Sequence, residues 1–147
     1  MNAAFDLPLD RDAIERILPH RPPMLLIDRV MELIPGERAV AERDVRADDP
    51  VFAGHYPGHP VYPGVLITEA MAQAGAVALL ALPEMAGRMP FFGGIEKLRF
   101  RRPVLPGETL RLEMTLGKLR HGMGFGHAVA TVGGELAAEG DLLFAIK

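Results

Sequence analysis

Residues 65–82 read Val65-Leu66-Ile67-Thr68-Glu69-Ala70-Met71-Ala72-Gln73-Ala74-Gly75-Ala76-Val77-Ala78-Leu79-Leu80-Ala81-Leu82, with Pro83 next. The run predicts one long helix that the proline closes. It is apolar nearly all round, so it must be covered on most of its sides. Thr68, Glu69 and Gln73 interrupt the run, and a lipid-facing helix would suffer for all three; a buried core helix is therefore expected, with no membrane insertion. Working outward, 24–34 and 37–45 flank Pro35-Gly36 and predict a hairpin. After the helix, 91–102, 108–119, 125–132 and 135–146 are set apart by Pro103, Pro106-Gly107, 122–124 and Gly133-Gly134, spacings that suit antiparallel strands. In Leu110, Leu112, Met114 and Leu116 the apolar residues take every second position, the period of a strand with one covered face. Residues 9–18 predict a short amphipathic helix with Asp10 as N-cap and Pro19 as its end. The expected class is α+β, a central apolar helix wrapped by a curved antiparallel sheet of about six strands. The helix exceeds what one such sheet covers, so a dimer is expected.

Composition narrows the function. The 147 residues fit one domain, 1–147. A formal net charge of -3 argues against nucleic acid as a partner. There is no cysteine, which removes disulfides, thiolate zinc sites and cysteine nucleophiles, and there is no serine to act as one. Residues 1–9 show no basic start with a long apolar core, so no secretory signal is expected and a cytoplasmic setting is.

The chemistry concentrates just before and inside the helix. Gly54-His55-Tyr56-Pro57-Gly58-His59-Pro60 is a stiff loop, because prolines fix φ and glycines open geometries closed to other residues. Histidine exchanges protons near neutral pH, and a carboxyl group at Glu69 in apolar surroundings has its neutral form favoured. His55 and Glu69 thus form a candidate base and acid, brought together across a symmetric dimer because sequence spacing alone cannot join them. The residues by themselves leave open that His55 only braces its turn and Glu69 only caps a core network. Gly64 places a backbone N–H at a helix N-terminus, suited to a developing oxyanion. His55 and His59 stand four apart, but Pro57 and Pro60 forbid a regular helix, and no metal is expected. His20, His121 and His127 carry no supporting pattern. Tyr62, Met71, Phe91 and Phe92 are candidates to line an alkyl slot, or simply core. Lys97, Arg99, Arg101 and Arg102 form a basic strand, with Lys97, Arg99 and Arg101 on one face; the strand is either a docking surface for an acidic partner or a solvated edge.

Several ordered motifs resemble the FabZ type of 3-hydroxyacyl-acyl-carrier-protein dehydratase. Leu18-Pro19-His20-Arg21-Pro22-Pro23-Met24-Leu25-Leu26-Ile27-Asp28 is similar to the family's opening signature, and the stretch from Gly54 to Pro60 to its histidine loop. Pro63-Gly64-Val65-Leu66-Ile67-Thr68-Glu69-Ala70-Met71-Ala72-Gln73 resembles its helix motif, and Phe100-Arg101-Arg102-Pro103-Val104-Leu105-Pro106-Gly107 a later strand and turn. The resemblance implies a hot-dog fold and cofactor-free dehydration of (3R)-hydroxyacyl-acyl carrier protein in fatty-acid synthesis. It also implies His55 as base, Glu69 of a second subunit as the other catalytic group, Gly64 as the N–H that polarises the thioester, and a trimer of dimers. The related FabA type carries Asp at the helix position, so Glu69 favours FabZ. Tyr56 stands where Phe is usual and Tyr62 where Met is common. Two rivals are a hot-dog thioesterase and a non-catalytic acyl-binding subunit.

Overall fold

The computed structural model describes residues 5–147; the expectation about a leader rests partly on residues 1–4, which lie outside them. Helix α1 (Arg11–Ile17) is capped by Asp10, whose carboxylate accepts from the Ala13 N–H at 2.9 Å. Strands β1 (Arg29–Ile34) and β2 (Arg38–Asp44) form the predicted hairpin around Gly36, whose φ of 78° favours glycine. Helix α2 (Gly64–Leu80) follows, then β3 (Pro90–Phe100), β4 (Thr109–Leu116), β5 (Met123–Val132) and β6 (Glu135–Ile146). All six strands pair antiparallel in one open sheet of order β1-β2-β4-β5-β6-β3, the hot-dog arrangement that the resemblance implies.

The sheet curls around α2, which packs on β2, β4 and β5. Leu110, Leu112 and Met114 are fully buried against the helix, as the alternation predicts. Gly75 allows a close approach: a Cβ there would stand 2.8 Å from the Met114 side chain, so any other residue would force that side chain or the helix to shift.

Two expectations are corrected. The first strand begins at Arg29, not at 24, although Leu25, Leu26 and Ile27 are buried. Part of this segment's backbone bonding goes to a helix side chain instead of a strand: Gln73 Oε1 accepts from the Leu26 N–H at 2.8 Å and Gln73 Nε2 donates to the Met24 carbonyl at 2.7 Å. The basic strand also fails to alternate. The register slips between Glu96 and Arg99, Lys97 takes a φ of 54°, and Arg101 lies beyond the end of β3, so Lys97, Arg99 and Arg101 do not share one face. Leu98 sits over Gly140 in this bulge, where a Cβ on the glycine would meet the Leu98 Cα at 2.7 Å.

On the outer face of the sheet, His127 bonds Asp141 at 2.8 Å and Glu139 at 2.7 Å. These hydrogen bonds to Asp141 and then Glu139 raise its pKa above the ordinary 6.5. A raised folded-state pKa stabilises the fold below about pH 6.5, and that contribution fades as pH rises through the folded value. Replacing His127 with glutamine should therefore cost thermal stability at pH 6 and much less at pH 8.5. Melting curves at both pH values check this, and a pH-independent difference would show that the ion pairs contribute nothing.

Candidate functional site

The histidine loop is rigid by bonding as well as by composition. Asp49 caps a short 3-10 turn (Pro50–Ala53), and the N–H groups of Gly54 and His55 both donate to the Val51 carbonyl. Tyr56 and His59 exchange N–H···O bonds across Gly58, and the Val61 N–H donates to the His55 carbonyl at 3.1 Å. The imidazole is fixed in turn: Nδ1 lies 2.8 Å from the Val61 carbonyl. A carbonyl only accepts, so Nδ1 carries a proton, and in the neutral ring Nε2 is then the basic nitrogen. Tyr56 stacks on this ring at a centroid distance of 4.1 Å.

His55 shares a cleft of about 500 Å³ with Gly64, Phe100, Arg101 and Val104. Gly64 opens α2 behind Pro63, so its N–H precedes the helix's own bonding ladder. The ring of Phe100 lies 3.0 Å from where a Gly64 Cβ would stand, so glycine here admits the phenyl ring as well as leaving the N–H bare.

Glu69 sits in a different place. Its side chain is 21% exposed and opens on a slot lined by His20, Ala72, Ala76, Phe91, Phe92 and Phe144. Gln73 Nε2 donates to Glu69 Oε2 at 2.8 Å, and His20 Nε2 stands 3.4 Å from the same oxygen. Within one protomer His55 and Glu69 open on different cavities that share no lining residue. His20 is the residue sequence reading passed over. Its signal was the stiff flanking by Pro19, Pro22 and Pro23, and Arg21 nails the segment by donating to the carbonyls of Leu18, His20 and Glu15.

The other candidates divide. Phe91 and Phe92 line the Glu69 slot. Met71 is fully buried in the core, and Tyr62 is a core side chain packed on Phe52 at 6.3 Å beneath the Arg43 guanidinium; burial raises its pKa. Tyr62 also lines the His55 cleft, whereas Met71 lines neither that cleft nor the Glu69 slot. Arg102 is held by Glu108 at 2.7 Å and Glu135 at 3.3 Å. Lys97, Arg99 and Arg101 are exposed and, among the described residues, have no carboxylate at ion-pair distance. Among the same residues, no three His, Cys, Asp or Glu side chains cluster to hold a metal, and no helix is long and apolar enough to cross a membrane.

Residues 18–141 match the family model of the FabA-like domain. The chain belongs to the FabA-like family. Among its members, the protein of Symbiobacterium thermophilum named 3-hydroxyacyl-acyl-carrier-protein dehydratase FabZ is 61% identical over 88% of this chain and 92% of its own. A protein of the same name from Ligilactobacillus salivarius is 58% identical over 94% and 99%. The fold recurs at much lower identity. A dehydratase heterocomplex from Xenorhabdus doucetiae superposes with a TM-score of 0.76 at 21% identity, covering 97% of this chain and 93% of that one. Cj0977, a virulence protein from Campylobacter jejuni, does so with 0.65 at 16%, covering 97% and 96%. Membership in the FabA-like family accords with the long apolar helix and with a histidine loop docked at its N-terminus.

Proposed function

We propose that the chain catalyses reversible loss of water from a (3R)-hydroxyacyl thioester on acyl carrier protein, giving the trans-2-enoyl thioester for fatty-acid synthesis. The fixed tautomer of His55 beside the first N–H of α2 carries this reading. Nε2 takes the proton from C2. The charge that develops on the thioester oxygen meets the Gly64 N–H and the positive end of the helix. The C3–O bond then breaks, and the hydroxyl leaves as water with a proton from Glu69. No electrons change hands, so the chemistry requires no redox cofactor.

The Glu69 in this step belongs to the partner subunit. Strand β3 is the sheet edge, and it spans both cavities: Phe91 and Phe92 line the Glu69 slot, while Phe100 lines the His55 cleft. Antiparallel pairing of two β3 edges about a two-fold axis sets the start of one strand beside the end of the other, so each His55 cleft meets the partner's Glu69 slot. Phe91, Phe92, Ile95 and Phe100, each 43–50% exposed on β3, gain cover in that pairing. Three such dimers make the hexamer that the resemblance implies, and sedimentation at assay concentration measures both levels. The carrier is a diffusible protein, so the cytoplasm is the compartment proposed.

Incubation with a crotonyl thioester tests the reaction. Hydration supports it, release of free thiol would indicate a thioesterase, and neither would indicate an acyl-binding subunit.

Lys97, Arg99 and Arg101 supply the docking charge for an acidic carrier. Reversing Arg99 and Arg101 to glutamate should raise KM for carrier-bound substrate, and added salt should shrink that penalty, since exposed charges are screened within ~10 Å at 0.1 M. Turnover of a short pantetheine thioester should hold in the single variant Arg99→Glu, since Arg101 also lines the His55 cleft. Equal losses on both substrates in that variant would place Arg99 in the cleft's architecture instead.

A further inference from the structure

One largely buried guanidinium grips both stems of the histidine loop. From 53 to 60 every residue but His55 is exposed, so little of the loop's hold comes from packing. Bonds within the loop set its local shape; where it points depends on the two places at which the chain leaves and rejoins the core, Phe52 and Tyr62. Arg43, on β2, reaches both stems with a side chain only 12% exposed. On the first stem Nη2 donates to Asp49 Oδ2 at 2.9 Å. The other oxygen of that carboxylate, Oδ1, accepts from the Val51 N–H at 3.0 Å, and the Val51 carbonyl accepts in turn from the His55 N–H at 3.0 Å. On the second stem the guanidinium carbon stands 5.9 Å from the centre of the Tyr62 ring, within the range of a cation over an aromatic face. Tyr62 follows Val61, whose carbonyl accepts from His55 Nδ1, and its own N–H donates to the Val104 carbonyl at 2.7 Å. One line of contacts therefore runs from Arg43 to the backbone of His55, and another to the residue beside the acceptor that holds the His55 ring. Asp28 lies 3.8 Å from Nη1, so the cation is flanked by carboxylates, and a guanidinium keeps its charge throughout.

Resting on the dehydratase reading above, we propose that Arg43 is a positioning residue for the catalytic base. It holds the two stems at a fixed separation, so that the Val61 carbonyl stays in line with Nδ1 and Nε2 stays aimed at C2 of the thioester. Arg43 acts only through other residues, since it is absent from the lining of the His55 cleft. Without the clamp the stems shift independently, the bond to Val61 loosens and the imidazole samples both tautomers. Lysine is a compact point charge, so it can pair with Asp49 but cannot also lay a planar cation on Tyr62; it replaces one arm of the clamp.

The test follows hydration of a crotonyl pantetheine thioester and, separately, the ring nitrogens of His55 by nitrogen NMR with the imidazole neutral. Arg43→Met should lower kcat by ~10-fold or more, toward the ~10²-fold that a misplacement of ~1 Å costs, with KM nearly unmoved. In the same variant the two nitrogen signals, one from an N–H and one from a bare nitrogen in the unaltered protein, should draw together as the tautomers average. Arg43→Lys should recover part of the turnover. Asp49→Asn keeps an oxygen for the Val51 N–H but loses the ion pair, and should reproduce the loss. A folded Arg43→Met protein with normal kcat, or with kcat lowered while the nitrogen signals stay apart, would overturn the proposal and leave Arg43 as a brace of the fold. Should Arg43→Met fail to fold, Asp49→Asn decides by the same two readings. Absence of hydration by the unaltered protein would instead defeat the dehydratase reading, and the nitrogen signals would still judge the clamp.

Discussion

Replacing His55 with alanine is expected to lower turnover by ~10²-fold or more, the usual scale for a positioned acid–base group, and Glu69→Gln by a similar factor. The expectation follows from geometry. Val61 accepts from Nδ1, which leaves Nε2 as a base aimed into the cleft that Gly64 also lines. The amide of Gln at position 69 keeps the shape of the carboxyl group and loses the proton to give. Binding of the acyl thioester should suffer less than turnover, because neither group grips the tail. The two variants also offer a sharper measurement. Each is nearly dead alone, but refolded together they should recover part of the lost activity, since a mixed dimer holds one site with both His55 and Glu69 intact. No recovery, with mixed dimers demonstrated by mass, would mean that the two groups serve one chain's own site. Near-normal turnover in either variant would remove that residue from the chemistry.

Gln73→Leu should give the largest loss of stability. Gln73 is 1% exposed and makes three bonds at once, to the Leu26 N–H, the Met24 carbonyl and Glu69 Oε2. Leucine leaves the buried Leu26 N–H unpartnered, at ~1–3 kcal/mol, and removes the bond to the carbonyl of the half-exposed Met24, at ~0.5–1.5 kcal/mol, so a total of ~1.5–4.5 kcal/mol is expected. At ~2–4 °C per kcal/mol for a chain of this size, the melting midpoint should fall by roughly 3–18 °C. The freed segment carries His20, so the carboxylate of Glu69 loses both its donor and its neighbour's anchorage, and kcat should drop while KM moves little. A midpoint shift under about 2 °C would mean that the segment around Leu26 finds other partners.

What the sequence disclosed depended on how local the cause was. The core helix could be read because its apolar run and Pro83 act within a few residues, and β6 ran to its expected bounds because Gly133-Gly134 starts it. The alternation of Leu110, Leu112 and Met114 gave the covered face of β4 directly. The order β1-β2-β4-β5-β6-β3 was not legible, since it depends on pairings between strands distant in sequence. The same holds for residues 24–28, an apolar stretch that resembles a strand until Gln73, on another element, claims its backbone. His55 and Glu69 stood out by their settings, one in a proline loop and one in an apolar helix. His20 did not, because the prolines around it mark only a stiff segment, while its 3.4 Å approach to Glu69 joins stretches far apart in the chain.

The two margins of the sheet are unlike. Strand β1 has only six residues, its register is broken between Val30 and Glu32, and its outer side is occupied where Leu9 and Val30 exchange N–H···O bonds. Strand β3 has eleven, and although its register slips between Phe92 and Gly94 and again between Glu96 and Arg99, none of the other strands pairs along its outer side. A chain with one open margin and one blocked margin can join a second copy edge to edge, but the pair then presents only blocked margins. Growth by strand addition is therefore self-terminating, and a protein whose surface carries exposed phenylalanines along a bare strand avoids becoming the seed of a fibre.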